Sequence, residues 1–460
     1  MIEMMILLPE IILALTACTI LMLGSFTKKH CFKGLNFIVA IFLTVALYIL
    51  LYKTPYKEEL LIFGSLFKSN MLIINLKSLI LATTILYIFI YKDSRFLENS
   101  MLKTYEFSVI FLLSIVGMML MLSANNFLSF YISLELQSLC LYVLAAFERE
   151  DSKSSEAGLK YFILGSFASG LLLFGISFVY GFTGNVDFDS LEIFLNQTAS
   201  TTESIGIIIG LIMILIGLFF KVSAAPFHMW TPDVYQGSPT IVTTMFATIG
   251  KIASVGFLYR LTSESLSGWG QDLQPILLLI TCASLMIGAL GALKQNNLKR
   301  LLAYSSIGHV GFMLLAISSF FIDSTILLYL LIYTTMTLGT FIIIMSLNAS
   351  EIKDLAGLSR KNPILALSLA IFMLSLAGIP PFAGFFAKFY VFQVAIKAEF
   401  FITSIIAIIA AVISAYYYLK IVKTMYFDAS LTENIDVNLS YSTKVILALL
   451  VLFNIFYVFF

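Results

Sequence analysis

The sequence predicts an all-α polytopic membrane protein with about fourteen transmembrane helices, two of them broken. Three observations carry that prediction. Of the 460 residues, 60% are apolar and 12% charged, with a mean hydropathy of +1.00. Soluble domains run nearer ~45–50% apolar and ~25% charged. Those proportions exclude a water-soluble enzyme, a nucleic-acid binder and a disordered chain. Two apolar segments are too long for one crossing and hold prolines at depth. Finally, the basic residues alternate between the two sides in step with the spans.

Apolar runs set against polar breaks place spans at about 4–25, 35–52, 71–91, 104–123, 126–147, 156–182, 205–237, 239–262, 275–293, 298–320, 324–347, 363–397, 400–426 and 441–460. No basic stretch precedes Met4–Leu23 and no A-x-A site follows it, so the first run is expected to be a retained span. The segments 205–237 and 363–397 hold 33 and 35 residues. That is about 50 Å of helix against a hydrocarbon core of ~30 Å. Pro226 and Pro232 lie in one, Pro380 and Pro381 in the other. Proline removes a backbone donor and disrupts the preceding turn, so each segment is predicted to be a broken helix. Irregular backbone at membrane depth is tolerated only where protein or a wet cavity surrounds it.

With both termini on the outer, periplasmic side, 17 basic residues fall in inner loops and 6 in outer ones, Lys77 and Arg260 among the latter. Glu10, beside Pro9, is expected at the outer interface. Four lysines remain inside apolar segments: Lys160, Lys221, Lys251 and Lys388. Each broken span carries a phenylalanine pair near its lysine, Gly217-Leu-Phe-Phe-Lys221 and Gly384-Phe-Phe-Ala-Lys388. This spacing divides the chain into a three-helix segment 1–103, five-helix repeats 104–262 and 275–426, and a last helix 427–460. An odd number of spans per repeat makes the two inverted, the arrangement that places ion sites at paired helix breaks.

Buried charge is the functional signal. Each lysine or carboxylate at mid-bilayer costs ~2.5–3.5 kcal/mol, so Glu135, Lys221, Lys251 and Lys388 together cost on the order of 10 kcal/mol unless paired or hydrated. A salt bridge that only orients helices would leave two of the lysines unpaired, and buried pairs seldom outperform apolar replacements. A proton path uses all four, because lysine loses its proton more readily when desolvated and keeps it when a carboxylate approaches. Sparse carboxylates at depth favour H⁺ over Na⁺. His309 lies between Lys251 and Lys388 in chain order and is a further relay candidate; Lys160, one turn inside its span, is a candidate for relay or for an interfacial anchor. His228 is read as bracing the exit of the seventh span.

Cofactor chemistry is absent from the motifs. Cys18, Cys31, Cys140 and Cys282 show no C-x-x-C spacing, and His30, His228 and His309 are far apart. No dinucleotide or phosphate loop is present. The chain is therefore expected to carry no redox cofactor or metal.

Three motifs point to a family. Lys221-x-x-x-Ala-Pro-Phe-His228-x-Trp-x-Pro-Asp-Val-Tyr-x-Gly-x-Pro-Thr240, Asn297-Leu-Lys-Arg-Leu-Leu-Ala-Tyr-Ser-Ser-Ile-x-His309 and Leu376-Ala-Gly-Ile-Pro-Pro-x-x-Gly-Phe-x-x-Lys388 resemble the antiporter-like membrane subunits of proton-pumping NADH:quinone oxidoreductase, respiratory complex I. Lysine rather than glutamate at Lys388, and no long lateral helix, resemble the member nearest the quinone-binding module. The resemblance implies a bacterial inner-membrane subunit with two inverted five-helix repeats and no redox site of its own. It implies Glu135 and Lys221 as an interacting pair, Lys251 as central relay, Lys388 as the terminal group and His309 between them. Quinone, flavin and iron–sulfur centres would belong to partner subunits, with subunits M and K as neighbours in the lipid bilayer and no nucleic acid. A subunit of a multisubunit cation/proton antiporter and a non-transporting scaffold are the alternatives.

Overall fold

The computed structural model describes residues 2–26, 32–54, 59–91, 102–197, 203–320, 324–429 and 439–459. His30, Cys31, Lys28, Lys29, Lys57, Lys92 and Arg95 lie outside the described residues. The chain runs α1 (Ile2–Ile6), α2 (Leu8–Phe26), α3 (Phe32–Tyr52), a hairpin of β1 (Leu60–Ile62) and β2 (Phe67–Ser69), α4 (Met71–Tyr91), α5 (Tyr105–Ser123), α6 (Phe127–Ala145), α7 (Ser152–Thr183), α8 (Phe188–Gln197), α9 (Glu203–Val222) and α10 (Trp230–Gly237). It continues through α11 (Thr240–Ala247), α12 (Ile249–Arg260), α13 (Gly270–Leu293), α14 (Leu298–Ile317), α15 (Thr325–Leu347), α16 (Leu358–Lys361), α17 (Pro363–Ala377), α18 (Ala383–Lys397), α19 (Phe401–Phe427) and α20 (Tyr441–Phe456).

The ends of these helices follow from local chemistry. Asn126, Asp151, Asn297 and Ser440 each accept a backbone N–H at the first turn of the helix that follows, satisfying a donor that the helix leaves free. Asn362 does the same before Pro363, whose missing N–H costs nothing there. Gly184 and Asn348 take left-handed conformations that stop α7 and α15.

Thirteen of the described spans are long and apolar enough to cross a membrane. The segment 363–397, predicted to be broken, is split into α17 and α18, each 15 residues, or ~22 Å. The predicted segment 205–237 likewise divides into α9 and α10 around Ser223–Met229. The prolines thus lie in or beside the breaks. One interruption carries no such signal: the predicted continuous span 239–262 is divided at Thr248 (φ −116°, ψ −82°) and ends in a π-helical turn at Leu261–Ser265.

One large apolar core runs through the bundle from Leu13 to Leu450, beside a small cluster of Ile6, Leu7 and Ile62, while Ile132, Phe167, Ile402 and Val412 point outward as a lipid-facing girdle. Close approach of α13 and α14 rests on Gly288, where a Cβ would lie 2.4 Å from the Gly308 backbone nitrogen; small residues let membrane helices approach this closely. At one end of the bundle the hairpin meets the α5–α6 corner at Phe67–Ala124, and that corner meets the start of α8 at Asn126–Asp187. At the other end the 294–297 and 348–352 loops pair at Asn297–Glu351.

Three residues expected in outer, wetter positions, Glu10, Lys77 and Arg260, are buried. Glu10 and Lys77 are each 2% exposed and form an ion pair between α2 and α4. Lys77 lies nearly two turns inside α4, which puts it under protein rather than at a loop. Arg260 is also fully buried, donating to the Leu122 and Ala124 carbonyls at 2.8 and 2.6 Å and to Glu264 at 3.0 Å. All three were missed for the same reason: charge near a span end reads as loop or interface until its long-range partner is known.

Candidate functional site: buried lysines at the helix breaks

Lys221 sits in the last turn of α9. Its ammonium donates to Ser138 Oγ at 2.7 Å and Tyr142 Oη at 3.1 Å, both on α6, and lies 5.3 Å from the Tyr142 ring centroid. Glu135 precedes these residues by three and seven positions on α6, hence on the same face. The expected Glu135–Lys221 pair is not in contact: no ion pair within 4.0 Å joins them. Glu135 Oε1 is buried without a hydrogen-bond partner. The Ser138 and Tyr142 hydroxyls, on the same helix as Glu135, hold the ammonium instead.

The first break begins at Ser223, in the left-handed region at φ +65°. Lys251, on α12, donates to the Val222 carbonyl at 2.6 Å and to Ser223 Oγ at 2.8 Å. It therefore occupies the C-terminal end of half-helix α9, where free carbonyls and the helix dipole favour a cation. Two further bonds hold the break open. Trp230 Nε1 donates to the Phe220 carbonyl at 2.9 Å, and the Ala225 N–H donates to Ser284 Oγ on α13 at 2.9 Å.

The second break repeats this chemistry with a different helix order. Lys388, on α18, donates to the Leu376 and Ala377 carbonyls at 3.1 and 2.9 Å, the end of half-helix α17, where Gly378 turns at φ +83°. Its Nζ stands 5.1 Å over the Phe312 ring. His309, one turn from Phe312 on α14, contacts Tyr329 Oη through Nδ1 at 2.8 Å and Tyr418 Oη through Nε2 at 3.3 Å. Tyr418 also bonds Ser305. A cavity of about 10 Å³ is lined by both His309 and Lys388, with Ser305, Ser414 and Tyr417. That is on the order of one water.

Exposures are 9% for Lys221, 2% for Lys251, 4% for His309 and 6% for Lys388. Lys160 lies elsewhere. Its side chain is 43% exposed and pairs with Glu156 at 2.8 Å and Asp233 at 2.9 Å. Asp233 also binds Arg300 at 2.5 Å, and all four residues line a polar cavity of about 220 Å³. His228 is half-buried at the first break, its Nδ1 unpartnered. Sequence reasoning missed the tyrosines around His309 and the Ser138–Tyr142 cradle. The i+3 and i+7 spacing of Ser138 and Tyr142 from Glu135 was the available signal.

Apolar helices with lysines seated on the ends of two broken helices define an antiporter-like class of polytopic membrane protein. The family described as NADH:quinone oxidoreductase/Mrp antiporter, transmembrane, matches residues 124–414. NADH-quinone oxidoreductase subunit N of Rhodospirillum rubrum is 42% identical over 450 residues, covering 96% of this chain and 91% of that one. Respiratory complex I from Thermus thermophilus with bound aureothin contains a chain that superposes with a TM-score of 0.82 at 30% identity, covering 97% of both. The fold also matches a chain of the Mrp complex from Dietzia sp., with a TM-score of 0.79 at 21% identity over 94% of this chain and 81% of that one. The chain belongs to the NADH:quinone oxidoreductase/Mrp antiporter family, and within it to the subunit N group.

Proposed function

We propose that this chain is the proton-translocating antiporter-like membrane subunit of a proton-pumping NADH:quinone oxidoreductase, coupling electron transfer to quinone in partner subunits to H⁺ movement through its own side chains. One observation carries the reading. Lys221, Lys251, His309 and Lys388 are buried at or between two helix breaks, and their hydrogen-bond partners are neutral hydroxyls and carbonyls. None of the four is in an ion pair with a carboxylate among the described residues, so each is free to gain or release a proton as its surroundings shift. Glu135 is the control group: motion of its carboxylate toward Lys221 retains the proton there, and withdrawal sends it on toward Lys251, His309 and Lys388. Lys160, with Asp233 and Arg300 at the rim of the polar cavity, serves as the inlet.

Redox chemistry is assigned to partners that hold flavin, iron–sulfur centres and quinone, with subunits M and K as the membrane neighbours. The host membrane is the bacterial inner membrane, with both termini periplasmic. Residues 104–262 and 275–426 act as two inverted repeats, flanked by 1–103 and 427–460.

Vesicles containing the assembled complex test this. In Glu135→Gln and Lys251→Ala variants the complex is expected to assemble normally. Proton pumping and quinone reduction are expected to fall at least about tenfold, the scale of a lost acid–base group. Intact assembly with unchanged pumping would overturn the reading and favour a scaffold.

A further inference from the structure

The last helix carries one amide on an otherwise apolar inward stripe. α20 buries Ile446, Leu447, Leu450 and Asn454 along one face, with Thr443 at its start. Asn454 is 0% exposed, a costly place for an amide unless its bonds are made. They are made within α20 and across two other helices, α15 and α17. Ser375 Oγ donates to Asn454 Oδ1 at 2.9 Å, beside Met336 Sδ at 3.0 Å. Asn454 Nδ2 donates to the Leu450 carbonyl at 2.9 Å and to Thr335 Oγ1 on α15 at 3.3 Å.

Ser375 has a second task. α18 begins after Phe382, whose side chain cannot cap it, so one of the first N–H groups of the half-helix needs a partner from elsewhere. The Gly384 N–H finds Ser375 Oγ at 3.0 Å. Ser375 stands in the last turn of α17, immediately before Leu376 and Ala377, the residues whose carbonyls hold Lys388. The bonds therefore run from Gly384 to Ser375 to Asn454, joining both halves of the break to the last helix.

We infer that Asn454 is a positioning residue for Lys388: by holding Ser375 it sets the gap between α17 and α18, and with it the carbonyl cradle. The inference rests on the reading of Lys388 as a proton carrier. It gives the last helix a part in proton transfer, although that helix lies outside both repeats.

Pumping per assembled complex, measured in membrane vesicles across a pH range, tests it. Asn454→Leu fills the same space without an acceptor, and is expected to assemble while pumping about fivefold to tenfold less, the scale of one lost helix cap. Asn454→Asp is isosteric and neutral while protonated. A desolvated carboxyl stays protonated well above its usual range, so this variant is expected to pump like the parent near about pH 6 and to lose pumping, relative to the parent, toward about pH 8.5 as the carboxylate forms. A purely space-filling role predicts instead that Asn454→Leu pumps like the parent, and that result overturns the inference, as does an Asn454→Asp variant already impaired near about pH 6, where it is isosteric and neutral. Ser375→Ala combined with Asn454→Leu should pump no less than the weaker single variant; additive losses also overturn it. Lys388→Ala separates the two levels. If that variant pumps normally, the proton-carrier reading fails and this one with it; if it stops while Asn454→Leu pumps normally, only the role of Asn454 fails.

Discussion

A lysine inside hydrocarbon needs acceptors for its protons, and the three lysines at the helix breaks find them differently. Lys221 takes two hydroxyls, whereas Lys251 and Lys388 each sit on the carbonyl end of a half-helix. The second seat depends on one missing side chain. A Cβ at Gly384 would lie 1.8 Å from the Ser375 carbonyl oxygen, so Gly384→Ala must push α18 away from α17. Overpacking of this kind costs about 1–3 kcal/mol. The variant is expected to lower the thermal midpoint of the purified complex, whereas Gly170→Ala, in open space, should leave it unchanged; equal midpoints would contradict the packing argument. The lysines themselves were legible because charge within an apolar run is expensive enough to imply a purpose. Their partners were not. That Lys221 seats on Ser138 and Tyr142 depends on how α6 and α9 are rotated against each other, which hydropathy does not encode.

Helix breaks are the elements that give these lysines their seats. Proline pairs announced the breaks near Pro226 and Pro380, since a ring without an N–H cannot continue the ladder. The interruption at Thr248 was silent, because Thr248 has an ordinary N–H that still donates to the Thr244 carbonyl at 3.1 Å, and only its φ and ψ depart from the helix. It falls three residues before Lys251, and the α11–α12 offset aims that side chain at Val222. What holds each break is also long-range. Ser284 caps the Ala225 N–H from α13, one residue from Leu285, which lines the His309–Lys388 cavity. Ser284→Ala would leave that buried N–H unpaired, at a cost of about 1–3 kcal/mol. The expected outcome is faster amide hydrogen exchange in the 223–229 segment of the intact complex, with the second break at 378–382 unaffected. Exchange unchanged at both breaks would show that Trp230 and the surrounding helices suffice.

Across the whole molecule, the fourteen-span layout was readable because apolar length and basic-residue alternation repeat along the entire chain. The ties between distant segments were not, because each depends on one pair of residues far apart in sequence. Glu10 and Lys77 bind the N-terminal helices α2 and α4 where hydropathy placed interface and loop. Immediately before Glu10, Ile6 and Leu7 pack under Ile62 of the hairpin. On the neighbouring position of α4, Leu76 meets Gly256 of α12, the helix that carries Lys251. The ion pair thus anchors the N-terminal helices to the proton-carrying bundle. Removing one partner of a buried pair strands the other and costs about 3–5 kcal/mol, while replacing both with apolar side chains is near neutral. Lys77→Met alone is therefore expected to reduce the yield and thermal midpoint of the assembled complex sharply. Glu10→Leu combined with Lys77→Met should restore both, and with them pumping, since neither group belongs to the Lys221–Lys388 series. If the double variant regains stability but not pumping, the pair takes part in proton transfer and its purely structural assignment falls.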